Sequence, residues 1–409
     1  MVNNMYEFVE DIDKKEYEDF VLNSNKSHFM QSYYFGQIQK SKEFIPHYVG
    51  LRKGKKLVAS ALVLEKKILN NIGYMYCPRG FILDYSDKKL ITTFCNYLKE
   101  YTKKNHDIFF RMDPDLEIDK YAYVIDELQR NGFKHKGFNK NFEHNQPRYT
   151  FRLDIDKNIK DVYASFHPTT RKILNKGNQY NLNMYKGDIK DIDAFYTTMV
   201  ETGIREHISP CKKSYYEEFY KIFNNHNMSD IYVLKVNINE LKDTYNNLIS
   251  DIKSQIEKLE NVQNKNVSKS QNLIKDLQNK LSKLNKELVE INDINEKELV
   301  LSSIITAKYK DMVWTVHGGN HNKLRWLNAN YLLYYEIIKD ANESGYKVID
   351  FFGTTGAPTQ DNPIYGIHLF KQRLGGELKE FIGEFDYVNN KLLYFLYNKY
   401  LKIRYKKQN

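Results

Sequence analysis

Between Glu240 and Glu298 the chain holds no Gly and no Pro, and its apolar residues fall three and four positions apart. Ile274, Leu277, Leu281, Leu284, Leu288 and Ile291 keep that alternation without a break; Leu241, Tyr245, Leu248, Ile252, Leu259 and Val262 keep it except at Gln255. Such spacing lines one side of a helix. The polar run Gln263 to Ser270 reads as a turn. Neither seam can be buried alone, so the pattern predicts two helices folded back as an antiparallel coiled-coil hairpin over residues 240–298. Ile231 to Val236 and Leu299 to Thr306, on either side, read as strands. The hairpin would then replace a β-turn, its ends roughly 8–10 Å apart, as an appendage rather than a domain boundary.

With the hairpin set aside, a repeat emerges. The first half offers a strand pair (His47 to Arg52, Leu57 to Lys66), a strand at Ile72 to Cys77, a helix near Lys88 to Lys104 and a strand at Asp107 to Met112. The second half offers strands at Ile231, Leu299 and Met312, a helix at Asn328 to Ser344 and a strand at Lys347 to Phe352. Strand meander, helix, strand, twice over, predicts two similar α/β halves.

Composition narrows the class. A chain of 409 residues has room for more than one domain, and 33 Tyr with 23 Phe predict aromatic-rich cores. Cys77, Cys95 and Cys211 are too widely spaced for a disulfide framework or a zinc site, the eleven histidines are scattered, and a reducing cytosol is the expected compartment. Met1 to Phe20 is charged throughout, without a secretory apolar core. No run approaches the roughly 20 apolar residues of a membrane span. The net charge is +10; the 240–298 segment carries ten Lys against eleven acids, which leaves +11 on the rest. A polyanionic partner should therefore meet the body and not the hairpin.

The segment from Phe351 to Asp386 carries the densest chemistry. It leaves a buried strand (Val348, Ile349, Phe351, Phe352), crosses a loop punctuated by Gly353, Gly356, Pro358 and Pro363, and enters a short helix with Phe370, Lys371 and Arg373. Gly375-Gly376 and a strand from Leu378 to Phe385 follow. A cation on a short helix behind a glycine-rich loop suits a phosphate or a developing oxyanion.

The runs D-F-F-G (Asp350 to Gly353), N-P-I-Y-G-I-H-L-F-K-Q-R-L-G-G-E (Asn362 to Glu377) and I-G-E-F-D (Ile382 to Asp386) resemble the C-terminal motif block of the Fem aminoacyltransferases. F-M-Q-S-Y-Y-F-G-Q-I-Q-K from Phe29, R-M-D-P at Arg111 to Pro114 and H-P-T-T-R-K at His167 to Lys172 resemble further blocks of that family. Fem enzymes add amino acids from aminoacyl-tRNA to the peptidoglycan stem peptide. The resemblance implies two tandem acetyltransferase-like (GNAT-type) domains, residues 1–148 and 149–386, with 387–409 returning to the first and 240–298 inserted in the second. It implies aminoacyl-tRNA as co-substrate with no other cofactor, and a muropeptide precursor as acceptor, either lipid-linked or nucleotide-linked. Hairpin arms in the family accompany enzymes of the lipid-linked precursor.

Aminoacyl transfer to an amine needs a lost proton and a stabilised oxyanion more than covalent help. No Ser/His/Asp triad is required and none stands out. Lys371, in the Phe370-Lys371 pair, matches a family lysine implicated near the tRNA 3′ end and reaction centre; its ammonium can offset charge there. Asp113, at a strand end, is the candidate base, and Glu384 matches a family Glu. Phe35 stands where the family places an aromatic. Lys40 and the Lys212-Lys213 pair before Tyr215-Tyr216 stand near the family's phosphate-binding lysine and arginine; lysine in place of arginine loses bidentate recognition but keeps charge. Arg171, Lys172, Tyr216, His317, Phe370 and Arg373 complete the candidate substrate-binding set.

Two other readings stay open. An acetyl-CoA-dependent N-acetyltransferase would use Gln372 to Glu377 as its pyrophosphate loop, but that run ends in a carboxylate, which disfavours an anion. A non-enzymatic adaptor built on the hairpin would leave the motif blocks unexplained. At the C-terminus, Leu392, Leu393, Phe395, Leu396, Leu401 and Ile403 predict a helix. Lys399, Lys402, Arg404, Lys406 and Lys407 make its end cationic, with Tyr394, Tyr397, Tyr400 and Tyr405 interleaved. It suits either packing on the first domain or an anionic bilayer surface.

Overall fold

Asp87 starts the helix Lys88–Lys104: its carboxylate accepts the Leu90 amide at 2.9 Å, and Lys103 and Lys104 occupy the last turn. Leu90, Ile91, Phe94, Cys95 and Leu98, spaced by three and four, are buried against a sheet. That sheet is the first of two. The computed structural model describes residues 6–69, 71–142, 145–206, 208–261 and 267–406. Of the expected turn Gln263 to Ser270, Gln263 to Asn266 lie outside the described residues and Val267 to Ser270 belong to a helix instead; Lys407 and the residues after it also lie outside the described residues.

The first sheet runs, in spatial order, Glu7–Val9, Ile45–Lys53, Lys56–Leu69, Ile72–Arg79, Phe109–Pro114, Phe385–Val388 and Lys134–His135, with Ile82–Leu83 paired to the third of these. The second runs Glu377–Glu380, Tyr149–Asp154, Val348–Thr354, Met312–Asn320, Glu298–Tyr309, Ile231–Asn237 and Asn183–Gly187. Each sheet is an antiparallel meander followed by a helix and a parallel strand, so the two α/β halves read from the sequence are both present. The returning strand begins at Phe385, not Tyr387, because Phe385 pairs with Met112 and His135.

A largely aromatic seam joins the sheets: Phe29, Phe35, Phe219 and Trp314, with Ile305, form one buried cluster drawn from both halves. Arg152 adds a polar clamp. Its guanidinium meets Asp350 of its own sheet at 2.9 Å and Asp115 of the first half at 2.8 Å.

The inserted hairpin consists of helices Ile238–Asn261 and Val267–Asn292. Asn237 ends its strand and caps the first helix through the Asn239 and Glu240 amides. Asn237 sits opposite Glu298, and the Ile238 amide meets the Lys297 carbonyl at 3.0 Å, so the insertion does replace a turn. The helices are antiparallel, with the Tyr245 hydroxyl on Glu287 at 2.9 Å. The expectation of a mere appendage needs correction. Leu241, Tyr245, Ile249, Ile252, Leu284 and Ile291 are buried in the second domain's own core, Tyr245 stacks on Tyr180, and it accepts a hydrogen bond from the Trp326 indole. The root half of the arm is core; charge counting and periodicity could not reveal that its apolar seam continues into the domain.

Candidate active site

In the first sheet the central parallel strands stay paired from Met75–Phe110 through Arg79–Pro114. In the second sheet the corresponding pair holds only from Met312–Val348 through Trp314–Asp350, and then the strands part. A cleft of about 1020 Å³ opens there, walled by Thr315 to Asn320 on one side and Phe351 to Gly353 on the other. Gly319 lets helix Ile192–Glu206 press against the first wall: a Cβ at this glycine would stand 2.4 Å from the Thr198 backbone.

The second wall owes its shape to Asp350. This buried carboxylate accepts the Phe352 amide at 2.7 Å and the Arg152 Nε at 2.9 Å. Phe352 is held at φ +62°, a region costly for a bulky residue, and the strand shifts register between Asp350 and Gly353. The bulge places the Gly353 carbonyl where the short helix Tyr365–Arg373 can reach it, and the Lys371 ammonium donates to that oxygen. Lys371 lines the cleft, yet its side chain is almost wholly buried. Burial drives its pKa down to about 7, with the Asp350 carboxylate acting weakly the other way. Phe370 stands edge-on to Tyr331 and Tyr334 on the same wall.

His317 and Tyr216 close the opposite side, their rings 5.0 Å apart. Burial pushes His317 down to about 3, so it is neutral at any working pH, and its Nε2 has no hydrogen-bond partner among the described residues. The lysine that reaches this corner is Lys42, 3.7 Å above the Tyr215 ring. Lys40 and Lys212 are exposed on adjoining turns. Lys213 is instead folded onto Asp193 and Glu217. Arg325, exposed at the cleft mouth, has no hydrogen bond or ion pair to its guanidinium among the described residues.

Other predicted residues sit elsewhere. Phe35 is buried in the inter-domain seam, edge-on to Phe29. Arg171 donates to the carbonyls of Ala164 and Phe166, at 2.7 and 2.6 Å, and so caps the preceding helix; Lys172 is exposed beside it. Arg373 does not line the cleft: its carbonyl accepts the His167 amide, its guanidinium lies beside Tyr331, and its Nε is buried without a partner among the described residues.

Asp113 and Glu384 form a second buried cluster at the end of the first sheet. Asp113 accepts from the Tyr76 hydroxyl at 2.7 Å and the Arg79 amide at 2.9 Å, and burial raises it to about 6. Glu384 is raised to about 7 by burial, opposed by Arg111 at 3.3 Å and reinforced by Asp113 and Asp386. Neither lines the cleft. The segment 145–147 lies between: Asn145 lines the cleft and donates to Glu384 at 3.3 Å, and the Pro147 carbonyl accepts from Arg79 at 2.8 Å. Sequence reasoning missed Asp350, Arg152, Lys42 and Arg325. Asp350 alone carried a signal, as the first residue of the D-F-F-G run.

The comparisons agree with this geometry. Residues 12–402 match the FemAB family. The chain is 28 % identical over 396 residues to lipid II:glycine glycyltransferase of Staphylococcus aureus (strain MRSA252), covering 94 % of each chain. It is 28 % identical to the enzyme of the same name from Staphylococcus epidermidis, covering 95 % of this chain and 94 % of that one. The crystal structure of FemX superposes with a TM-score of 0.76 at 27 % identity, covering 95 % of this chain and 99 % of that one. A tandem GNAT protein from the clavulanic acid biosynthesis pathway, 9 % identical with a TM-score of 0.50 over 93 % of this chain and 98 % of its own, shares the fold alone. Two acetyltransferase-like halves, a cleft in the second and a family match over nearly its whole length place this chain in the FemAB family.

Proposed function

We propose that this FemAB-family aminoacyltransferase carries an amino acid from aminoacyl-tRNA to an amino group of a lipid-linked peptidoglycan precursor. The observation that carries the reading is Lys371: a buried amine of depressed pKa on the wall of a cleft large enough for two substrates. The names of the relatives favour glycine as the first amino acid to try, ahead of alanine and serine, and a lipid-linked acceptor ahead of a nucleotide-linked one.

The chemistry divides among the residues. The donor ester is already activated, so the attacking amine must arrive neutral and the carbonyl oxygen must be held as it gains charge. Lys371 stabilises that oxygen as an ammonium, or holds the donor's terminal phosphate beside it. Asp113 is the proposed base. It stands behind the cleft wall with both oxygens occupied, by the Tyr76 hydroxyl and the Arg79 amide, so the amine's proton reaches it only across the 145–147 segment that separates the two. Lys42 and Arg325 supply the cationic rim that polyanionic substrates meet.

The test offers glycyl-, alanyl- and seryl-tRNA, each with lipid-linked and nucleotide-linked precursor, and acetyl-CoA as the control donor. Label should pass from a charged tRNA to the lipid-linked acceptor. No transfer from any charged tRNA, or transfer from acetyl-CoA, would overturn the reading.

A further inference from the structure

The last helix, Lys391–Lys406, has two apolar faces and half-buries one against the first sheet. Asn390 caps it through the Leu393 amide and, with Asn389, ties it to the Ile108 carbonyl. On the inner face, Tyr394 stands edge-on to Phe109 and takes a hydrogen bond from Lys136 at 2.9 Å; Tyr397 packs on Phe109 and Tyr74. The outer face is Leu392, Phe395, Leu396, Tyr400 and Ile403. These positions lie three, one, four and three apart, as one stripe of a helix requires, and they are 49–67 % exposed. Scattered exposed apolar residues are ordinary; five on one face of a single helix are not.

The first sheet also ends one strand in exposed apolar residues. From Tyr394 to Tyr397 the helix crosses from the returning strand toward Ile72–Arg79. The next strand, Lys56–Leu69, ends in Ile68 and Leu69, 46 % and 66 % exposed. Among the described residues no helix is long and apolar enough to cross a membrane. Lys391 and Lys402 are exposed along one edge of the stripe, Lys399 stands within it four positions after Phe395, where its long stem can carry the ammonium out to headgroups, and the sequence continues with Arg404, Lys406 and Lys407. Charge decides the occupant. A second copy docked stripe to stripe would bring these cations against their own mates, whereas anionic headgroups would neutralise them.

We propose that the outer face of the C-terminal helix docks on an anionic bilayer surface. The helix lies in the interface, about 24 Å long at 1.5 Å per residue, with its apolar stripe among the acyl chains and its lysines among the headgroups. The tyrosine face stays on the protein and holds the helix in place.

The experiment is co-sedimentation of the full chain, without substrate, on vesicles of equimolar phosphatidylglycerol and phosphatidylcholine and on phosphatidylcholine alone. Binding should require the anionic lipid and fall with added salt. Lys391, Lys399 and Lys402 changed together to Gln should weaken it about 10²-fold, at roughly one kcal/mol per cation. Leu392, Phe395 and Ile403 changed together to Gln should abolish it. These side chains are exposed, so circular dichroism should be unchanged. Because no acceptor is present, the result is independent of the aminoacyl-transfer reading. Absence of wild-type binding at low salt, binding indifferent to lipid charge, or a solution dimer dispersed by the triple Gln variant of the stripe would each overturn the proposal.

Discussion

The Lys371 ammonium donates to the Gly353 carbonyl, and that carbonyl faces the helix because Asp350 holds Phe352 at φ +62° one residue earlier. A strained bulge and a buried cation are thus two ends of one device. Burial lowers Lys371 to about 7, against roughly 10.4 in an unfolded chain. Between those values the folded state has shed a proton that the unfolded state keeps, so stability rises with pH across that window. Below pH 7 the penalty for a buried charge is present in full. Lys371→Met should therefore fold with a higher melting temperature than wild type at pH 6, and this margin should shrink by pH 9. The same variant should lose about 10²-fold in kcat, the usual cost of removing one oxyanion stabiliser. A stable and fully active Met variant would return Lys371 to packing.

Asp113 gives the opposite sign. Its folded value of about 6 lies above roughly 3.9 in an unfolded chain. The folded state binds the proton more tightly, so stability falls as pH rises through that interval. Asp113→Asn, always neutral, should match wild type in urea unfolding near pH 4 and exceed it at pH 7.5. If Asp113 takes the proton of the attacking amine, the variant should also lose the acid limb of kcat/KM, with an overall fall of 10²-fold or more. Full activity with the limb intact would leave Asp113 as a carboxyl that orders Arg79 and Tyr76.

How far the sequence could be read follows from these residues. The place of Lys371 on the cleft wall was within reach because it sits in a dense local motif. The halves were legible because strand and helix periods repeat. Asp350 and Arg152 were not, since their partnership spans strands 198 residues apart in sequence, and a single sequence gives no signal for such a pair. Lys42 was missed in favour of Lys40 because two positions along a tight turn decide which ammonium reaches Tyr215. Phe35 was read as a substrate contact for want of any sign that an inter-domain seam would bury it.

The arm makes a prediction about where it can be cut. Removing 256–280 and rejoining the helices with a short turn should leave a folded protein, because the buried contacts made by Tyr245, Ile249, Ile252, Leu284 and Ile291 lie nearer the root. Removing 241–298 should not: it strips Tyr180 and Trp326 of their cover and deletes several buried side chains, each worth about 2 kcal/mol or more. Differential scanning calorimetry of the two deletions separates the cases. Equal melting temperatures would mean the root contacts carry no stability.

Arg325 and Lys213 form a natural control pair at the candidate binding surface. Both are cations near the cleft, but Lys213 is bound to Asp193 and Glu217 while Arg325 has no ion-pair partner among the described residues. A free guanidinium at a cleft mouth is available to phosphate; a paired ammonium would first have to give up its carboxylates. Arg325→Ala should raise KM for the anionic substrate about tenfold, near the lower end of a charge-assisted hydrogen bond, with kcat little changed. The effect should shrink as salt is added. Lys213→Ala should leave both constants near wild type. Steady-state kinetics at two ionic strengths decides, and equal effects from the two substitutions would show that net charge, not the free guanidinium, recruits the substrate.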